Sequence, residues 1–184
     1  MGFLGKLVAG RMIKKRLKRM FTARELRLER DLKRHADFSH IKRKKILVAG
    51  SSGLIGRQLV AFLDTGGHDV WRLVRRTPKS NEKEISWSPD KGEIDAQQLE
   101  GFDAIIHLGG AGIGDKRWSK KRLKLIEESR TISTTLLAET IAKLNNKPES
   151  FIVSSAVGWY GERGDEELDE HSTPGEGFLP TTCA

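Results

Sequence analysis

Cysteine is nearly absent from this chain, with Cys183 the only one in 184 residues. A single thiol forms neither an internal disulfide nor a cysteine-rich metal site, and such a chain is expected in a reducing, cytoplasmic compartment. Long apolar runs are missing as well. None approaches the roughly 18–20 residues needed to cross a bilayer, so the sequence predicts a soluble chain with no stable membrane anchor. Tyrosine is the scarcest aromatic, Tyr160 being the only one. Adding the 19 glycines to the 37% hydrophobic residues gives an apolar share of about 47%, as in ordinary globular domains.

Acidic residues are scarce at one end only. Residues 1–45 carry 16 Lys/Arg against 4 Asp/Glu, while the remainder carries 17 against 21. The formal charge of +8 therefore belongs to the N-terminal segment, and the mildly acidic remainder argues against nucleic acid as a partner of the whole protein. In that segment Ile13, Leu17, Met20, Phe21, Leu28 and Leu32 recur at helical intervals among lysines and arginines, which predicts a basic amphipathic helix. It reads as a membrane-surface or nucleic-acid helix, as a targeting peptide, or as a connecting helix packed on a neighbouring domain. Glu25, Glu29 and Asp31 speak against a transit peptide, which is poor in acids. Residues 35–40 read as the linker, and the domains are expected at 1–44 and 45–184.

The apolar run Ile46-Leu47-Val48-Ala49 leads into Gly50-Ser51-Ser52-Gly53-Leu54-Ile55-Gly56, and Leu54, Ile55, Leu59, Val60, Phe62 and Leu63 keep the period of a helix's buried face up to Gly66-Gly67. Strand, glycine turn and helix in that order form a dinucleotide-binding fingerprint. Gly50 permits the tight turn, Gly53 lets backbone N–H groups approach a pyrophosphate, and Gly56 lets the helix pack closely. The backbone of Ser52, Leu54 and Ile55 completes the anion site at the helix N-terminus. A second strand, residues 69–74, should end in an acid if NAD is the cofactor. Arg75-Arg76 stands there instead, and a guanidinium grips a 2′-phosphate where a carboxylate would repel it. NADP is the expected cofactor.

Further strands are predicted at residues 85–87, 103–108 and 151–153, with a long helix capped by Ser119 and carrying Leu123, Ile126, Leu136, Leu137, Ile141 and Leu144 on its buried face. The second of these strands ends in Gly109-Gly110-Ala111, where small residues let a cofactor lie against the backbone. The alternation describes an α/β doubly wound parallel sheet, a Rossmann fold.

With the glycine turn, Ile85-Ser86-Trp87, His107-Leu108-Gly109-Gly110, Arg117-Trp118, Ser129-Arg130 and the segment from Ser154 to Asp165, the stretch from Ile46 to about Leu179 resembles the atypical short-chain dehydrogenase/reductases of the NAD-dependent epimerase/dehydratase-like group, also described as nucleoside-diphosphate-sugar epimerase-like. The resemblance implies an NADP(H)-binding fold whose substrate part is built from a C-terminal third beyond Ala184, so that the sheet is expected to be incomplete and the chain a fragment. It also implies, for some members, an upstream START-like domain joined by a basic helix such as this one. The catalytic set it implies is a Ser or Thr with Tyr-x-x-x-Lys, which maps onto Ser155 and Tyr160. Position 164 is glycine rather than lysine, and Ala156 occupies the place four residues before Tyr160.

His107, at the end of a buried strand, reads as a hydrogen-bonded structural histidine. The acidic run from Asp165 to Glu170 lacks ligand spacing and reads as a solvated loop rather than a metal site. Trp118 and Trp159 suit either a substrate ring or core packing. The expectation is an NADP(H)-dependent oxidoreductase or epimerase-like enzyme acting on an unidentified small molecule. The alternative is a non-catalytic NADP(H)-binding sensor module.

Overall fold

The structure, a computed structural model, describes residues 3–184, and the side chains of residues 10–184. It divides into two units, residues 1–42 and 43–184.

The first unit is one helix, α1 (Phe3–Asp37). It keeps its hydrogen bonds through the stretch expected to be a linker: the N–H of Phe38 still donates to the carbonyl of Arg34, and the Arg34 guanidinium lies over the Phe38 ring at 5.6 Å. No glycine or proline interrupts residues 11–41, so the backbone has no early stop. Ile13, Leu17, Met20, Phe21, Leu28 and Leu32 are all exposed.

The second unit is built on a six-stranded sheet. Its strands are β1 (Lys45–Ala49), β2 (Asp69–Val74), β3 (Glu84–Ser88), β4 (Glu93–Ile94), β5 (Ala104–His107) and β6 (Ser150–Val153), in the order β4-β3-β2-β1-β5-β6. All neighbours run parallel except β4, which turns back antiparallel on β3. Helices α2 (Leu54–Thr65) and α3 (Lys120–Ala142) make the β1–β2 and β5–β6 crossovers, and a short α4 (Phe178–Cys183) follows.

Strand alternation splits β1 between two cores. Ile46 and Val48 pack with Val70, Ile106 and Val60 of α2. Leu47 and Ala49 pack with Leu73, Ile85, Ile105 and Leu137 of α3. Helices thus cover both faces of the central strands, the doubly wound arrangement predicted. Leu144 is buried in the second of these cores but lies in the turn after α3 rather than within the helix.

Two features depart from the expected pattern. The β2–β3 crossover spans only residues 75–83 and contains no helix, where parallel neighbours commonly use a dozen residues or more. Leu54 and Ile55, expected on the buried period of α2, are 88% and 64% exposed. They belong to its first turn, next to the glycine turn at the carboxyl end of the sheet. No described helix is long and apolar enough to cross a membrane.

Candidate functional site: a cleft at the carboxyl ends of the strands

The β1–α2 turn is shaped by two glycines. Gly50 adopts φ +80°, and a Cβ there would lie 2.7 Å from the carbonyl carbon of Leu108. Gly56 has no room for a Cβ beside the Gly50 carbonyl and Ser51, so the helix packs on the turn itself rather than on the strand. The N–H of Gly53 donates to Gly50 O at 3.0 Å, closing the turn. Gly53 differs from its neighbours, because a Cβ there would meet only that carbonyl, at 3.3 Å. The space above it is open. No side chain caps the N-terminus of α2, so its first N–H groups are available to an anion.

That open space continues as a cleft of about 1070 Å³, across the ends of β1, β2 and β5 and along α2. Its size suits a dinucleotide, since ligand pockets commonly run from about 300 to 1,000 Å³. Of the residues predicted for the cofactor, Gly50, Ser52, Gly53, Arg75, Arg76, Gly109, Gly110 and Ala111 line it. Leu54, Ile55 and Gly56 do not: Gly56 supports the turn from beneath, and any contribution from the other two is through their backbone.

The rim at β2 is crowded with arginines, and their partners differ. Arg72 pairs with Glu82 at 2.6 Å. Arg57 donates to the carbonyl of Ser52 at 2.7 Å. Arg76 forms a fork with Glu84, at 2.8 and 2.6 Å, and the Glu84 side chain is only 1% exposed. That carboxylate also accepts the Lys79 N–H at 3.0 Å, and the bonds from Arg76 and Lys79 hold its pKa down at about 2. Among the described residues no hydrogen bond or ion pair engages Arg75, whose charge reaches His107. Sequence reading treated the two arginines as a pair. The structure separates them, one locked on a buried acid and one available.

His107 is buried, and burial first, then the Arg75 charge, pushes its pKa down to about 4. Its Nε2 lies 2.8 Å from Ser133 Oγ, and the Trp87 ring meets it edge-on at 5.9 Å. A neutral imidazole held by α3 is the structural histidine expected; it does not line the cleft, and its Nδ1 accepts the Gly109 N–H at 3.4 Å from behind the wall.

The two residues expected to be catalytic are not brought to this cleft. Ser155 is exposed beyond the end of β6. Tyr160 sits in a single turn of 3₁₀ helix, and its hydroxyl donates to the Asp169 carbonyl at 2.8 Å. Neither lines the cavity. The segment is held by contacts of its own, including the Gly175 N–H donating to Trp159 O at 2.9 Å. Trp118 meets Phe178 edge-on at 5.8 Å, packing that uses its ring.

Sequence reading missed Arg57, Arg72, Glu84 and Ser129 as residues of the cleft. For Glu84 the available signal was an acid just before a predicted strand and eight residues after an arginine, a spacing with no helical or strand period to single it out.

With this geometry established, the relatives fall into place. The model of the NAD dependent epimerase/dehydratase family matches residues 46–182. An epimerase family protein of Mycobacterium leprae is 40% identical over 138 residues, 75% of this chain and 44% of that protein. The solved nucleoside-diphosphate sugar epimerase from Corynebacterium glutamicum shares 38% identity at a TM-score of 0.74, over 89% of this chain and 34% of that one. Human epimerase family protein SDR39U1, solved with NADPH, shares 29% identity at a TM-score of 0.65, over 74% of this chain and 45% of that one. This chain thus spans less than half the length of the relatives it matches. It belongs to the NAD dependent epimerase/dehydratase family and carries that family's Rossmann-like NAD(P)-binding fold.

Proposed function

We propose that this chain is the NADP(H)-binding part of an oxidoreductase or epimerase-like enzyme of the short-chain class. The observation that carries the choice of NADP(H) is the rim after β2. A ribose 2′-hydroxyl would look there for a carboxylate acceptor, and the carboxylate that follows β2 in lining the cleft, Glu84, is buried and engaged by Arg76 and the Lys79 N–H. Arg75 is the cation left to meet a 2′-phosphate, through charge-assisted bonds. The NADPH held by the human relative supports the same reading.

A bound nicotinamide supplies hydride chemistry. The residues of this chain do the holding: the glycine turn and the α2 N-terminus receive the pyrophosphate, Arg75 selects the 2′-phosphate, and the Gly109–Gly110–Ala111 backbone forms the wall beside β5. A second reading, a non-catalytic NADP(H) sensor module, draws support from Tyr160, whose hydroxyl is bonded to Asp169 O away from the cleft. NADPH oxidation on adding carbonyl or nucleotide-sugar substrates separates the two. A cytoplasmic location goes with either. The preceding START-like domain is part of the proposal as well: a match over 89% of the chain must take in part of α1, within a solved chain of which this one is 34%.

Fluorescence titration with NADPH and NADH tests the cofactor assignment. Wild type should favour NADPH. Arg75→Ala should weaken NADPH by about tenfold or more while leaving NADH nearly unchanged. Arg76→Ala should act mainly on stability, by leaving Glu84 buried without its cation. Equal affinity for both coenzymes in wild type, or equal losses on Arg75→Ala, would remove the 2′-phosphate role.

A further inference from the structure

Between β5 and α3 the chain runs from Leu108 to Ser119 without regular structure, and its first residues form one wall of the cleft. Backbone groups in such a segment need partners. The Leu108 N–H donates to the Ala49 carbonyl at 3.0 Å and the Gly109 N–H to His107 Nδ1 at 3.4 Å, while Ala111 and Gly112 find their partners on side chains of α3. The Ala111 N–H donates to Ser129 Oγ at 2.9 Å, and the Ala111 carbonyl accepts from Arg130 Nη1 at 3.1 Å. The Gly112 carbonyl accepts from Arg122. Both polar groups of one peptide residue are thus clasped by two consecutive residues of a helix.

Arg130 has two further properties. Its guanidinium lies directly behind Gly110, where a Cβ would come within 3.0 Å of Cζ and 3.2 Å of both Nη atoms, so any side chain at that position would press on the guanidinium. It is also half-buried, and it donates in addition to the Ile126 carbonyl at 2.9 Å. No ion pair to it occurs among the described residues. A cation without an acid, placed behind a wall of an anion-binding cleft, adds its field to the site. The loop it clasps also touches the glycine turn, since Gly50 closes on Leu108 and Gly109.

The geometry points to Arg130 as a positioning residue of the cofactor cleft. With Ser129 it fixes the Gly109–Ala111 wall in the binding conformation, at the β1–β5 side of the site and away from the β2 rim. This rests on the reading of the cleft as a dinucleotide site. The sheet order β2-β1-β5 places Arg75 at one end and this wall at the other, so the two ends respond to different probes: 2′-AMP reports the β2 rim, and the whole dinucleotide reports both.

The test compares wild type with Arg130→Gln and Ser129→Ala, each of which deletes one half of the clasp, using three readouts on the full chain. Arg130→Gln should weaken NADPH and NADH alike by about tenfold and leave 2′-AMP affinity unchanged. In the ligand-free protein it should raise amide hydrogen exchange at residues 109–112. Ser129→Ala should shift the same amides and affinities in the same direction by less, and Arg130→Lys, keeping the charge without the fork, should recover only part of the affinity. Wild-type NADPH binding by Arg130→Gln would overturn the proposal, as would proportional loss of 2′-AMP and NADPH with a lowered Tm, which marks general structural damage. Failure of wild type to bind NADPH or 2′-AMP, with the exchange effect intact, would instead sink the cofactor reading and leave the clasp standing.

Discussion

β1 and β6 are both short parallel strands that open into segments of small residues, and they have opposite fates. β1 is paired on both sides, and residues Ile46 to Ala49 are all buried. β6 is paired only to β5, with Ile152 52% and Val153 41% exposed. The turn after β1 lines the cleft, whereas the segment after β6 does not reach it. Place in the sheet separates them, because a central strand has packed helices on both faces and a neighbour on each side to aim its turn. The cofactor half of the site is therefore fully built, and the half expected to do chemistry is not.

The largest effect that sharpens this contrast comes from the core. Ile106 of β5 stands opposite Ile152 of β6, and the first is buried while the second is half-exposed. Ile106→Ala should cost about 2–5 kcal/mol, the usual range for an isoleucine in a packed core. Ile152→Ala should stay within about 1 kcal/mol, since little of it is removed from water. Urea denaturation of the two variants measures the difference, and equal losses would mean that β6 is packed like a central strand.

Next come the two glycines of the turns. Gly56→Ala forces a methyl into the Gly50 carbonyl, and overpacking of this kind costs about 1–3 kcal/mol or more. Gly158→Ala would meet only Leu179, whose Cβ is nearest at 3.2 Å, a contact that a shift of a few tenths of an ångström in the short α4 relieves. Thermal melts by circular dichroism should show a clear fall in Tm for the first and little change for the second.

The pH dependence comes third. Burial lowers the His107 pKa from 6.5 to about 4, so between those values the unfolded chain binds the proton that the folded chain refuses. Stability from this group is complete above pH 6.5 and is lost as pH falls towards 4. Glu84, lowered from 4.5 to about 2, adds its own loss only on going below pH 4.5. His107→Asn should flatten the stability profile between pH 6.5 and 4.5 and leave the more acidic limb in place. An unaltered slope in that window would assign it to other groups.

The smallest effects are expected after β6. Ser155→Ala and Tyr160→Phe should leave NADPH affinity unchanged within about twofold, because neither side chain borders the cleft. A marked loss of binding in either would show that the segment folds over the cofactor.

Much of this fold was legible in the sequence because buried parallel strands and glycine turns leave strong local marks. Residues 69–74 formed the strand their pattern predicted, and Ser119 caps α3 by accepting the Arg122 N–H. Strand β4 was not legible, since two residues carry no period. Nor was the helix-free β2–β3 crossover, which depends on how near the strand ends lie in space. At the site, the backbone part was readable because only glycine satisfies it. The Arg76–Glu84 pair was hidden, because an acid reads as solvent-facing until its own burial is known. Conversely Leu54 and Ile55 read as core and proved exposed, since helical period says which residues share a face but not what that face meets.

The most direct measurement is NADPH titration of wild type beside Gly53→Val, with circular dichroism on both. A side chain at Gly53 meets little protein, only Gly50 O at 3.3 Å, and it projects into the space assigned to the pyrophosphate. The account predicts that the variant keeps the wild-type spectrum and loses NADPH binding. Undiminished NADPH affinity in a folded Gly53→Val would contradict it.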